Sequence, residues 1–181
     1  FTQKIAEEIV KQKGKADVIT ASNVFAHIDD LDEVMRGIKI LLKDDGVFVF
    51  EVHYLFNLIT EMQYDTIYHE HMNYYSLPPL IEFFKKFDME IFDAEMTTMH
   101  AGGIRVYVRN IGKRSEPVSE NIQKLLDLEK ENGLHKLDTY NKFAEKVKDS
   151  KEKLLMLVVS LKSKGNKIVG YGAPGRANTI L

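Results

Sequence analysis

The chain has 181 residues, 44% of them hydrophobic and 29% charged, a formal net charge of −2 and no cysteine. That length suits one well-buried domain, or one and a fraction, and the charge gives no general reason to bind nucleic acid or an anionic membrane. Disulfides and thiolate zinc sites are excluded within these residues, no apolar run approaches the roughly 20 residues of a membrane span, and with no signal peptide a cytoplasmic location is expected.

The chain opens at Phe1, without an initiator methionine, and enters a helix at once. Residues 2–13 carry Ile5, Ile9 and Val10 on one side and charges opposite, and Gly14 closes the helix. Residues 17–22 read as a short buried strand. Asp29 or Asp30 can cap a helix reaching Leu42, with Leu31, Val34, Met35, Ile38 and Leu41 as its apolar stripe. Residues 46–51 read as a second buried strand, continuous in apolar residues as parallel strands are. Helix, strand, helix, strand implies an α/β sheet with crossovers.

Beyond a polar, aromatic stretch, Pro78 opens a helix through Phe87. Residues 89–98 and 103–110 predict two antiparallel strands around Gly102-Gly103. After a charged linker at 111–115, two striped helices are expected at about 118–132 and 139–164, separated by Gly133. Residues 167–170 read as a strand opening a new α/β unit. The chain stops at Leu181, inside that unit, so a fragment of a longer polypeptide is expected.

The stretch 64–76, YDTIYHEHMNYYS, packs four tyrosines and two histidines flanking a glutamate into thirteen positions. These groups accept, donate and relay protons, and they follow neither core periodicity. If the segment is extended, His69 and His71 share one side; in a turn, Tyr68, Glu70 and His71 converge. A general base, a metal site using two imidazoles and a carboxylate, and a plain polar loop all remain open. The spacing is not that of the helical zinc motif His-Glu-x-x-His.

Asn23 and His27 directly follow the first strand, and ligands of open α/β sheets sit at the carboxyl ends of strands; a simple strand-to-helix loop reads equally well. His100 and Arg105 flank the predicted hairpin turn, where glycine allows a ligand close to the backbone. Gly170-Tyr-Gly-Ala-Pro-Gly175 matches the phosphate-cradling G-x-G-x-x-G pattern after a predicted strand, and Arg176 suits a phosphate partner.

In this order the motifs resemble the sugar C-methyltransferases, which use S-adenosylmethionine to methylate nucleotide-linked 4-keto-deoxysugars. The resemblance rests on Ala21-Ser-Asn-Val-Phe-Ala-His27, Phe50-Glu-Val-His-Tyr54, Tyr64-Asp-x-Ile-Tyr-x-Glu-His71, His100-x-Gly102 with Arg105, and Gly170-Tyr-Gly-Ala-Pro174, and it covers essentially the whole chain. It implies an α/β fold: the C-terminal half of a class I (Rossmann-like) methyltransferase sheet in residues 1–110, a helical connector in 111–165, and the start of a second α/β domain in 166–181. The family's cysteine-ligated zinc module and its glycine-rich cofactor loop would then precede this chain, leaving no metal site within it.

Carried over, the resemblance implies that His71 removes the proton beside the sugar ketone while Tyr68 and Glu70 orient it and the substrate. It implies S-adenosylmethionine near Asn23 and His27, and the nucleotide-linked sugar near Tyr54, His100, Arg105, Gly170, Gly172 and Arg176. Ala101 and Gly103, His53 in place of the usual proline, and Gly175-Arg176 in place of Ala-Lys depart from the family pattern and bear on substrate identity. Rival expectations are a nucleotide-sugar-binding protein without catalysis and a metal enzyme using His69, Glu70 and His71.

Overall fold

Thr2 starts the first helix, α1 (Gln3–Lys13). Its backbone is extended (φ −132°) and its hydroxyl accepts the Ile5 N–H at 3.4 Å, relieving one of the helix's orphan donors. Gly14 ends it in a positive-φ conformation, φ 79°, that side chains disfavour. The computed structural model of the chain describes residues 1–98, 102–113, 115–172 and 174–180.

A short edge strand, β1 (Ala16–Ser22), leads through a single 3₁₀ turn at Phe25–His27 into α2 (Leu31–Leu41). Asp30 caps α2, its Oδ1 accepting the Glu33 N–H at 2.9 Å. The chain then passes directly into β2 (Leu42–His53), parallel to β1, as a β-α-β crossover requires. Next come a short helix, α3 (Leu55–Thr60), then α4 (Leu77–Lys85), β3 (Met89–Thr97) and β4 (Gly103–Asn110). Strand β4 inserts between β2 and β3, antiparallel to both, giving the order β1-β2-β4-β3 among the described residues.

The core lies on one face of this mixed sheet. Phe48, Phe50 and Val52 of β2 and Ile104, Val106 and Val108 of β4 point there, against Leu77, Leu80 and Phe84 of α4. Phe25 stacks on Phe50 with ring centroids 4.9 Å apart, and Phe50 meets Phe84 at 5.6 Å. Each such pair contributes about 0.5–1.5 kcal/mol beyond the burial of its area. Gly102 turns into β4 at φ 121°; a Cβ there would fall 2.7 Å from the Asn57 side-chain nitrogen, so both backbone and space demand glycine.

Four expectations change. Strand β1 is not buried: it sits at the sheet edge, paired among the described residues only with β2, and Val18 is 57% exposed. Residues 167–170 form no strand. They lie exposed, with no partner strand among the described residues to take their backbone hydrogen bonds. The glycine pattern that follows therefore lacks the strand its phosphate-cradling reading requires. Helix α6 (Leu137–Ser163) follows α5 (Glu120–Glu131) as expected, but it buries no residue, and Leu155, Met156, Leu157 and Val159 face outward. Helix α3 was not anticipated, because six residues are too few to display a helical period. Among the described residues no helix is long and apolar enough to cross a membrane.

Candidate functional site

Both parallel strands deliver their carboxyl ends to one place. Asn23 leaves β1 with φ 54°, a left-handed conformation that asparagine tolerates, and its N–H donates to the Glu51 carbonyl at 2.8 Å. The 3₁₀ turn that follows presents Ala26 and His27, while β2 ends with Val52 and His53. These residues line a cavity of about 190 Å³ together with Tyr68, Glu70, His71 and Arg176.

The histidine segment is held there by backbone and tyrosine contacts. The Met72 N–H donates to the Ala26 carbonyl at 2.8 Å, and the Leu55 N–H to that of Tyr75 at 2.8 Å. The Tyr75 hydroxyl donates to the Phe25 carbonyl at 2.8 Å. Farther on, the Glu129 carboxylate of α5 accepts from the Tyr54 hydroxyl and from the Leu77 N–H, each at 2.7 Å. A carboxylate at the first N–H of α4 also complements the helix dipole.

Within the cavity, His71 is 9% exposed and its Nδ1 lies 2.8 Å from the Thr66 carbonyl oxygen. A carbonyl only accepts, so Nδ1 carries the proton and Nε2 of the neutral ring keeps a lone pair. Burial pushes the His71 pKa below 6.5, with His27 and Arg176 adding to the depression and Thr66 and Glu70 opposing it. The ring is therefore neutral, and basic, at neutral pH. Its neighbours are His53, His27 and Tyr68, with ring centroids 4.9, 5.0 and 4.6 Å away. The Tyr68 hydroxyl donates to Glu70 Oε2 at 3.1 Å. Arg176 arrives with the last short helix, α7 (Ala177–Ile180): its Nη1 lies 3.5 Å from Asp65 Oδ2, and the Thr179 hydroxyl donates to the Ile67 carbonyl at 3.2 Å.

Tyr68, Glu70, His71, Asn23, His27 and Arg176 thus all line one cavity. Tyr54 does not line the cavity; it is fully buried and its hydroxyl is taken by Glu129. Arg105 is committed elsewhere too, its Nε and Nη2 on Glu51 Oε2 at 3.0 and 2.8 Å and its Nη1 on Glu95 at 3.1 Å. Gly170 and Gly172 lie on the exposed segment outside the cavity, and His100 falls outside the described residues. His69, two positions before His71, is exposed and lies outside this cavity. Among the described residues no group of three or more His, Asp or Glu side chains is arranged to hold a metal ion.

Sequence reasoning missed His53, although its position at the carboxyl end of a parallel strand carries the same signal that singled out Asn23.

Residues 98–181 match the family described as C-methyltransferase C-terminal domain, and residues 1–93 match the family described as methyltransferase domain. The C-methyltransferase NovU of Streptomyces niveus is 33% identical over all 181 residues, which is the whole of this chain and 43% of that relative. The chain thus spans less than half the length of the curated relative it matches. Its mixed sheet is consistent with a class I methyltransferase fold. With 93 of its 181 residues matched to that domain, the chain belongs to the methyltransferase-domain family.

Proposed function

We propose that this chain carries the proton-abstracting part of an S-adenosylmethionine-dependent C-methyltransferase acting on a nucleotide-linked keto-deoxysugar. The observation that carries this reading is the hydrogen bond from His71 Nδ1 to the Thr66 carbonyl, which leaves the Nε2 lone pair as the ring's basic position beside a cavity. A ketone acidifies the carbon next to it, and a base with a pKa near or below neutrality can remove that proton. His71 Nε2 takes the proton, and the bonding electron pair stays on the substrate as an enolate or carbanion. Tyr68 edges the His71 ring and limits its rotation, while Glu70 favours the imidazolium once it has formed. Arg176 also lines the cavity and supplies positive charge, as a nucleotide-linked phosphate would require.

The cavity of about 190 Å³ fits the reacting end of the methyl donor and the sugar carbon; whole small-molecule sites take about 300–1,000 Å³. Asn23 and His27 are the residues here that would hold that end. S-adenosylmethionine, when bound, supplies the electrophilic methyl group. In the resulting organisation the sheet through Asn110 belongs to the methyltransferase part, and residues 111–165 form a connector.

In the full-length protein, His71→Ala lowers methyl transfer by about 10²- to 10⁴-fold, the usual contribution of a general base. His69→Ala changes it only slightly, because that ring lies outside the cavity. Equal losses at the two positions would overturn the assignment.

A further inference from the structure

A second, larger cavity of about 730 Å³ opens where α4, α5 and the start of α6 meet. Its walls are the rings of Tyr74 and Tyr140, the prolines Pro78 and Pro79, and Leu126 and Leu134. Glu129 lines it from within the protein, only 3% exposed. The Tyr54 hydroxyl and the Leu77 N–H both donate to Glu129 Oε1. The other oxygen, Oε2, makes no hydrogen bond among the described residues. A carboxylate oxygen that lines a cavity and has no protein partner is free to accept a hydrogen bond from a ligand or water.

We propose that this cavity is a second ligand site, taking a flat, largely apolar ring whose hydroxyl group meets Glu129 Oε2. The volume lies within the usual range for small-molecule sites, and mostly apolar walls with a few placed polar groups are their usual make-up. Two tyrosine rings and two prolines favour a planar guest over a branched one. A hydroxyl suits the floor because it donates to the carboxylate and can also accept from the acid. The distinction matters because burial raises the Glu129 pKa. Tyr74 belongs to both cavities' surroundings, its ring 6.3 Å from that of His71, so a guest here sits next to the proposed base. The proposal does not depend on methyl transfer, and its test reads binding alone.

Phenol and toluene are titrated separately into the 181-residue chain, with the ring resonances of Tyr74 and Tyr140 followed by NMR. Phenol is expected to shift both resonances and to bind on the order of tenfold more tightly than toluene, as a hydrogen bond to a carboxylate implies. Gln123→Trp, an exposed position on the cavity lining, and Leu126→Trp, within the wall, each fill the space and weaken phenol at least tenfold. The exposed variant guards against loss of fold, which its thermal midpoint checks. Absence of phenol shifts in the folded protein, equal affinity for toluene, or unchanged phenol binding in Gln123→Trp overturns the proposal.

Discussion

Of two tyrosine–glutamate pairs, one lies within the segment that carries His71 and the other outside it. Tyr68 and Glu70 stand two positions apart at the rim of the smaller cavity, where the glutamate is exposed and the hydrogen bond measures 3.1 Å. Tyr54 and Glu129 are 75 positions apart and meet at 2.7 Å in the interior. At the rim, water competes for both partners and the bond adds little net stability. In the interior the fully buried Tyr54 hydroxyl has no water to turn to, and the same carboxylate also holds the start of α4. One pair borders the cavity of the proposed base; the other ties the end of β2, α4 and α5 together.

Removing the buried acceptor is the hardest test of this contrast. Glu129→Ala strands two buried donors and is expected to cost about 2–5 kcal/mol of unfolding free energy in urea; a loss below about 1 kcal/mol would erase the distinction. Tyr54→Phe keeps the ring's packing and removes only the hydroxyl, so about 1–2 kcal/mol is expected in the same experiment. Tyr68→Phe and Glu70→Gln should each change stability by less than about 0.5 kcal/mol. In the full-length protein both should still slow methyl transfer severalfold, a split between stability and rate that a merely structural rim pair would not produce.

Acidity separates the two regions by sign. The folded pKa of His71 lies below its unfolded value of 6.5, so its neutral ring contributes stability above that pH, and this contribution is lost as pH falls through the folded value. The folded pKa of Glu129 lies above its unfolded value of 4.5, so its contribution is fully present below that pH and is lost as pH rises through the folded value. Arg176→Gln removes one cause of the His71 depression and should move the acidic limb of the rate profile modestly to higher pH. An unmoved limb would disconnect Arg176 from the base.

Much of the site was legible because its chemistry is local. Tyr68, Glu70 and His71 lie within four positions, and Asn23 and His27 follow a strand whose apolar run is visible in the chain. Tyr54 entered through the resemblance alone; its burial and its bond to Glu129, 75 positions away, are not visible in the chain. The partner of Arg105 was equally hidden: its guanidinium meets Glu51 from the neighbouring strand, 54 positions away. The strand expected at 167–170 failed because apolar residues supply propensity, whereas a strand exists only where a neighbour accepts its hydrogen bonds.

The amino-acid sequence by itself determined most of the helices and strands, the parallel β1–β2 pair and the clustering of Tyr68, Glu70 and His71. Spacing, caps and glycines act over a few residues and need no distant partner. Only the tertiary structure decided that β4 enters between β2 and β3, that β1 lies at an exposed edge, and that α5 secures the histidine segment through Glu129. It alone decided which nitrogen of His71 holds the proton, through a carbonyl five positions earlier. Those outcomes depend on which groups are removed from water together, and burial is a property of the packed chain.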